Sequence, residues 1–406
     1  MESLKYKLVL GLEIHLHLKT KTKMFCGCDA DIYGKEPNTH TCPTCLGLPG
    51  ALPVANFDAV QKAQLLGLAL NCQLNKNSRF DRKHYFYPDL PKGYQISQYK
   101  QPLCEHGNLT LDSGNIVEIE RVHLEEDVAK SFHENDKTLI DFNKSGIPLV
   151  EIVTTPCFKT VVDAVEFSKK IQDVARYLDI SDADMEKGQM RLEANISLRT
   201  EDMERTGKLP NYKVEVKNIN SFRFMEKAVR AEIKRQTALL ESGQTPIQEN
   251  RGYDEDLDQT VSQREKEEAH DYRYFPEPDT PPMVFDDTYT SDLKKKISEL
   301  PWQKKERLIE KYGISEAVAG LLSLGDNIGL CIKFEKIIST GLDPLKISNL
   351  LLNKLEFKNL SVEDFIVKFK NTETPSLDKA LVEEAVEKII KENSNVVESY
   401  KKGKTA

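Results

Sequence analysis

The sequence predicts an α+β protein, with an antiparallel-sheet domain over residues 1–290 and an all-helical domain over 291–406. Three observations lead there. Several front-half segments alternate strictly between polar and apolar residues, the pattern of a sheet with one polar face, as antiparallel sheets have. Pro276, Pro278, Pro281 and Pro282 crowd one short stretch, which excludes regular structure and marks a boundary. Beyond Pro301 the apolar residues recur at helical spacing instead.

Each element follows from its own pattern. In LGLEIHLHL, residues 10–18, the leucines and Ile14 share one face, and Glu13, His15 and His17 the other. ERVHLEED, 120–127, sets Arg121, His123, Glu125 and Asp127 opposite Val122 and Leu124. MRLEANISL, 190–198, does the same with Arg191, Glu193, Asn195 and Ser197. Helices are expected over 160–179 and 222–242, where apolar residues fall at helical spacing. In the second domain WQKKERLIEKYG stops at Gly313, and Ser315, Ser361 and Ser376 are candidate N-caps. Val396 to Ala406 turns polar and basic and reads as a linker.

Composition narrows the class. At 406 residues, 39% hydrophobic and 30% charged, the chain reads as a folded protein of more than one domain. It has no apolar run of about 18 residues, and charges interrupt MESLKYKLVLGLEIH, so neither a membrane span nor a signal core is expected. A cytoplasmic address follows, in which eight cysteines are not a disulfide framework. The net charge of −8 divides into −10 over residues 1–290 and +2 over 291–406. An acidic front suits carboxylates gathered for a metal. The back has basic faces at Lys294, Lys295, Lys296, Lys304, Lys305 and Arg307, fit for RNA or for simple helix solvation.

Three constellations carry chemistry. Cys26 and Cys28 form one close pair and Cys42 and Cys45 another, within an insertion near 25–46. Four thiolates in two tight turns suit tetrahedral, structural Zn²⁺ with no open position. Glu13, His15, His17, Glu125 and Glu193 occupy polar strand faces, with Glu151 at the end of GIPLVEIV. Carboxylates converging on one surface repel one another unless a cation lies among them, and Mg²⁺ takes a few carboxylates plus phosphate oxygens. The bland alternative is a set of solvated faces. Third, FDRKHYFYPDLPKGYQISQ, 80–98, interleaves basic and aromatic residues, and Arg82 and Lys83 are candidate phosphate partners; a self-packed loop explains the same residues. No G-x-x-x-x-G-K-[ST], G-x-G-x-x-G or G-x-S-x-G occurs, so an ATP site would be neither a P-loop nor a Rossmann turn.

GLEIHLHLKTKTKMFCGC, GLPGALPVAN, FDRKHYFYPDLPKGYQISQ, HLEEDVAKS, DFNKSGIPLVEIV, GQMRLEANISLR, VEVKNINSFRFMEKAVRAEIKRQ and HDYRYFPEPDTPP follow in this order over 5–285. Together they resemble the GatB family, the B-type subunits of the aspartyl/glutamyl-tRNA amidotransferases. The resemblance implies a cradle domain like the glutamine synthetase catalytic fold, then a helical domain, then a tail domain. It implies an ATP- and Mg²⁺-dependent ligase that phosphorylates the side-chain carboxylate of Glu-tRNA(Gln) or Asp-tRNA(Asn). Ammonia would come from the A-type amidase subunit, with the small C-type subunit making up a heterotrimer. Glu13, His15, Glu125 and Glu151 match the family's metal and nucleotide site, and Glu193 and Lys217 lie in blocks resembling the rest of it.

Three departures stand out. The chain ends at VVESYKKGKTA where the family continues, so an absent tail domain is expected. The cysteine set is not universal in the family, so zinc rests on the four ligands themselves. Arg251, Arg264 and Lys266 lie in a divergent stretch and receive no role. Two other classes remain: a zinc-stabilised RNA-binding scaffold that binds no nucleotide, and a stand-alone ligase acting on a free amino acid.

Overall fold

A computed structural model describes residues 5–265, 272–297, 299–372 and 379–401. Lys266, Asp271, Ser376 and the end of the basic tail lie outside these residues, as does the side chain of Arg264. Contacts divide the chain into Met1–Glu306 with Ser323–Asp326, and Arg307–Leu322 with Asn327–Ala406. The sequence placed the division at 290. Leu293 is buried, and Leu300 and Trp302 pack against the core of the first unit, which carries that unit further along the chain.

Among the described residues, nine strands form the main sheet. In chain order they are β1 (Tyr6–His17), β2 (Gln73–Leu74), β3 (Cys104–Thr110), β4 (Ile116–Glu126) and β5 (Pro148–Thr154). Then come β6 (Met190–Thr200), β7 (Val214–Ile219), β8 (Glu249–Asp254) and β9 (Gln259–Glu265). Their spatial order is β9-β8-β7-β6-β1-β5-β4-β3-β2, and every pairing is antiparallel except β7 with β8. A mixed α+β chain with a mainly antiparallel sheet is therefore what forms.

One face of the sheet is apolar and covered by helices α1 (Phe57–Ala69), α2 (Val161–Tyr177) and α3 (Phe222–Glu241). Leu10, Leu12, Ile14 and Leu16 of β1 share a core with Phe167, Ile171 and Val174 of α2 and Met225 and Val229 of α3. Each helix starts where a side chain can take up free backbone N–H groups: Asn56, Thr160 and Ser221 accept from the first turns. The helices expected over 160–179 and 222–242 are α2 and α3.

Over the opposite, polar face lies a three-stranded sheet of Asp81–His84, Tyr94–Ser97 and Phe275–Pro276. The proline-rich stretch is thus not wholly irregular: Phe275–Pro276 pairs with Asp81–Arg82 at the sheet's edge, where a residue lacking N–H is tolerated. The second unit is helical, with Leu308, Phe334, Ile347, Leu351 and Phe365 at its core. Gly313 takes the left-handed backbone expected of a helix end, and Ser315 and Ser361 cap the helices that follow them.

Candidate functional site

Cross-strand register assembles the site. His15 on β1 lies opposite Glu151 of β5 on one side and Arg191 of β6 on the other. Glu13 lies opposite Glu193, Glu151 opposite His123, and Leu149 opposite Glu125. Directly opposed residues of antiparallel strands share a face, so the polar sides of β4, β5, β1 and β6 merge into one surface. That surface floors a cleft of about 380 Å³ whose roof includes Lys83, Gln95, Gln98, Tyr272 and Tyr274. Donor atoms of Glu13, His15 and Glu193 lie within 4.8 Å of one another, and so do those of His15, Glu125 and Glu151.

Burial makes this gathering electrostatically costly. Desolvation, with the Glu151 charge alongside, pushes the Glu125 carboxyl up to about 8. Desolvation also raises Glu193 to about 7, with Lys217 acting against it, and raises Glu13, where Glu151 and Glu215 add to the effect. Glu151 goes the other way. Its burial opposes ionisation, but the His123 imidazole (3.3 Å) and the Lys83 ammonium hold it below the usual carboxylate range. His15 is driven down to about 3 by desolvation, so its ring is neutral, and its Nε2 is buried without a hydrogen-bond partner. Carboxylates prevented from ionising together and an unsatisfied imidazole nitrogen fit a divalent cation among them.

Positive groups stand around the acidic floor. Lys217 donates to Glu193 (2.9 Å) and lies 3.1 Å from Glu215. Burial disfavours its charge, but Glu193 and Glu215 outweigh that and hold it above the usual lysine range. Lys83 lies 4.9 Å from the Tyr272 ring centre, and Tyr99 stacks on Tyr274 at 4.4 Å. Burial works against the Lys83 charge too, but Tyr274, Glu125 and Glu151 keep its pKa high. At the cleft's end Asp127 accepts from His17 (2.6 Å), Lys144 (2.8 Å) and Arg191 (3.0 Å). Arg191 and Lys144 overcome its burial and hold it far below the ordinary aspartate value.

Most of the expected residues therefore meet: Glu13, His15, Glu125, Glu151, Glu193, Lys217 and Lys83 all line the cleft. Arg82 does not. It follows Asp81 and precedes Lys83 on one strand, so its side chain leaves the opposite face, where Glu277 (2.7 and 2.8 Å) and Asp279 (3.0 Å) hold it. Of the two adjacent glutamates Glu125 faces the cleft, whereas Glu126 turns away to pair with Lys92 and accept from the Ile96 backbone. The cleft also takes in His123, Asp127 and Arg191, whose strands had already given them polar faces, and Glu215, Tyr272 and Tyr274. Glu215 alternates with Lys217, and Tyr272 with Tyr274, a signal available in the sequence.

Away from the cleft, Cys26, Cys28, Cys42 and Cys45 bring their sulfurs within 4.8 Å of one another. None of the eight cysteines is in a disulfide. Sulfur–sulfur edges of about 3.8 Å are what tetrahedral zinc with bonds of about 2.3 Å requires. The Cys42 N–H points at the Cys45 sulfur (3.1 Å), and the Lys23 ammonium lies 3.7 Å from it. A donor set of four thiols with a cation and an N–H beside it fits Zn²⁺.

Known proteins resemble the chain over most of its length. Residues 8–291 match the model of the GatB/GatE catalytic domain. The aspartyl/glutamyl-tRNA(Asn/Gln) amidotransferase B subunit of Caldicellulosiruptor saccharolyticus is 40% identical, over 99% of this chain and 93% of its own length. Proteins of the same name from Thermodesulfovibrio yellowstonii and Thermotoga maritima are 43% and 42% identical, again over 99% of this chain, and over 84% and 93% of their own lengths.

Proposed function

Since the chain belongs to the GatB family of aspartyl/glutamyl-tRNA(Asn/Gln) amidotransferase subunits, we propose that its cleft performs the ATP- and Mg²⁺-dependent step of tRNA-dependent transamidation. The substrates are Glu-tRNA(Gln) and Asp-tRNA(Asn), and the products are Gln-tRNA(Gln) and Asn-tRNA(Asn). The single observation that carries this reading is the union of four carboxylates and His15 on one sheet face, in a cleft that Lys83, Lys217 and Arg191 also line.

A carboxylate resists attack by ammonia because its leaving group would be oxide. Phosphorylation makes that oxygen the bridging atom of an acyl phosphate, at whose carbon ammonia can displace phosphate. The first step brings two anions together and needs positive charge placed in advance. Glu13, His15, Glu125 and Glu151 would hold Mg²⁺, which would supply positive charge against phosphate oxygens. Lys83 reaches the same space from the roof and would meet phosphate oxygens. Lys217 restrains Glu193 and Glu215, and Arg191, fixed by Asp127, presents its guanidinium to the substrate side. The Tyr272 and Tyr274 rings shelter the acyl phosphate from water.

Further assignments belong to the same reading. The cradle is related to the glutamine synthetase catalytic fold and corresponds to the first compact unit, Met1–Glu306 with Ser323–Asp326, and the helical unit follows it in the chain. Four cysteines hold a structural zinc. The A-type amidase subunit supplies ammonia, and the small C-type subunit makes up the heterotrimer, in the cytoplasm. Arg82, paired with Glu277, supports the nucleotide site from behind instead of touching phosphate.

The test is Mg²⁺-dependent ATP cleavage by the assembled enzyme on addition of Glu-tRNA(Gln). Glu13→Gln and Glu151→Gln are each expected to lower stimulated cleavage by about 100-fold or more while the complex still assembles. Undiminished cleavage in both variants would show that the acidic floor takes no part in the ATP step.

A further inference from the structure

Lys23 is fully buried, an unusual place for a lysine, and it lies outside the catalytic cleft. Its ammonium donates to the carbonyls of His40 (2.8 Å) and Phe142 (3.4 Å) and stands 3.7 Å from the Cys45 sulfur. No carboxylate pairs with it among the described residues. Two carbonyl dipoles alone compensate a buried ammonium poorly. Four thiolates around Zn²⁺ carry a net charge of −2, which supplies the missing partner.

The loop over residues 142–147, which supplies the Phe142 carbonyl, also reaches the cleft. The Ser145 hydroxyl donates to the Cys45 carbonyl (3.0 Å), and Met24 N–H donates to the Gly146 carbonyl (2.7 Å). Gly146 has φ +83°, and a Cβ there would stand 3.4 Å from the Cys45 Cβ, so the loop fits closely against the cysteine turn. On its other side Gly146 N–H donates to the Asp127 carbonyl and Asp127 N–H to the Ile147 carbonyl, both at 2.9 Å. Lys144 reaches from this loop to the Asp127 carboxylate, which holds Arg191 and His17.

We propose that Lys23 is the charge partner of the metal-loaded four-cysteine centre, and that the centre is a strut fixing the 142–147 loop behind Asp127. Lys23 is thus a positioning residue and not a catalytic one. The proposal rests on the zinc reading of the four cysteines. It links that metal to the catalytic cleft through two shared backbone hydrogen bonds and one ion pair.

The experiment uses the full chain in its complex. Zinc affinity is measured by competition with a chromophoric chelator, comparing wild type with Lys23→Met and with Cys42→Ser as the ligand-loss control. Lys23→Met is expected to weaken zinc binding about 10- to 100-fold, as loss of an outer partner does. Affinity within about twofold of wild type would overturn the role of Lys23. A wild-type protein that takes up no zinc would instead sink the four-cysteine reading itself.

A second measurement needs no variant. Removing zinc from the wild-type complex should speed amide hydrogen exchange at Gly146 and Asp127 by about tenfold or more and leave the centre of β6 unchanged. Unaltered exchange at both amides would overturn the strut.

Discussion

Glu125 and Glu193 show how one residue type takes different roles on one surface. Glu125 is buried and Glu193 half-buried, both beside other carboxylates, and they hold their protons to about 8 and about 7, whereas Glu151, facing His123, His15 and Lys83, stays ionised. A group whose folded pKa is raised stabilises the fold below its unfolded pKa, and that contribution is lost as pH rises through the folded value. His15, lowered to about 3, acts in the opposite sense only below its ordinary value of 6.5. Between about pH 6.5 and 8, then, these carboxylates should make the Mg²⁺-free, zinc-loaded protein lose stability as pH rises. Thermal melts without Mg²⁺, with the zinc retained, are expected to show Tm falling across this window. Mg²⁺ should flatten the trend by replacing the protons, and so should Glu125→Gln. A Tm that holds steady in the Mg²⁺-free wild type would mean that the carboxylates are not coupled as described.

At the scale of elements, alternation was the readable signal. The strands carrying Glu13, Glu125 and Glu193 were legible because one face of each is packed on helices and the other is polar. β5 was less legible: every residue of PLVEIVT is buried, so nothing in the pattern separates Glu151 from its neighbours. Helix α1 lacks a pronounced apolar stripe and was not foreseen, and Glu215 was passed over although it alternates with Lys217. The sequence shows no strand over Asp81–His84 that would separate the phosphate-binding reading from a self-packed loop, which leaves Arg82 and Lys83 equivalent. On a strand they part. Arg82→Ala would leave the buried Glu277 carboxylate unpaired and should cost about 3 kcal/mol in a denaturant titration. Lys83→Met should change stability by less than about 1 kcal/mol, yet lower tRNA-stimulated ATP cleavage about 100-fold. The reverse pattern would contradict the placement of both side chains.

At the scale of the molecule, a mainly antiparallel sheet is divided by its two faces. The helical face supplies the apolar core, and the polar face, roofed by the small sheet, supplies the chemistry. The four-cysteine turn and the 142–147 loop brace one end of that polar face. On the proposed function, the arrangement serves a single bond, formed between a side-chain carboxylate oxygen and the γ-phosphorus of ATP. The direct test is Glu-tRNA(Gln) labelled with heavy oxygen in its side-chain carboxylate, given to the complete enzyme with ATP, Mg²⁺ and glutamine. The account predicts one labelled oxygen in the phosphate released per glutaminyl residue formed, and no such transfer with Glu151→Gln. Phosphate that carries no label while the amide forms would contradict it.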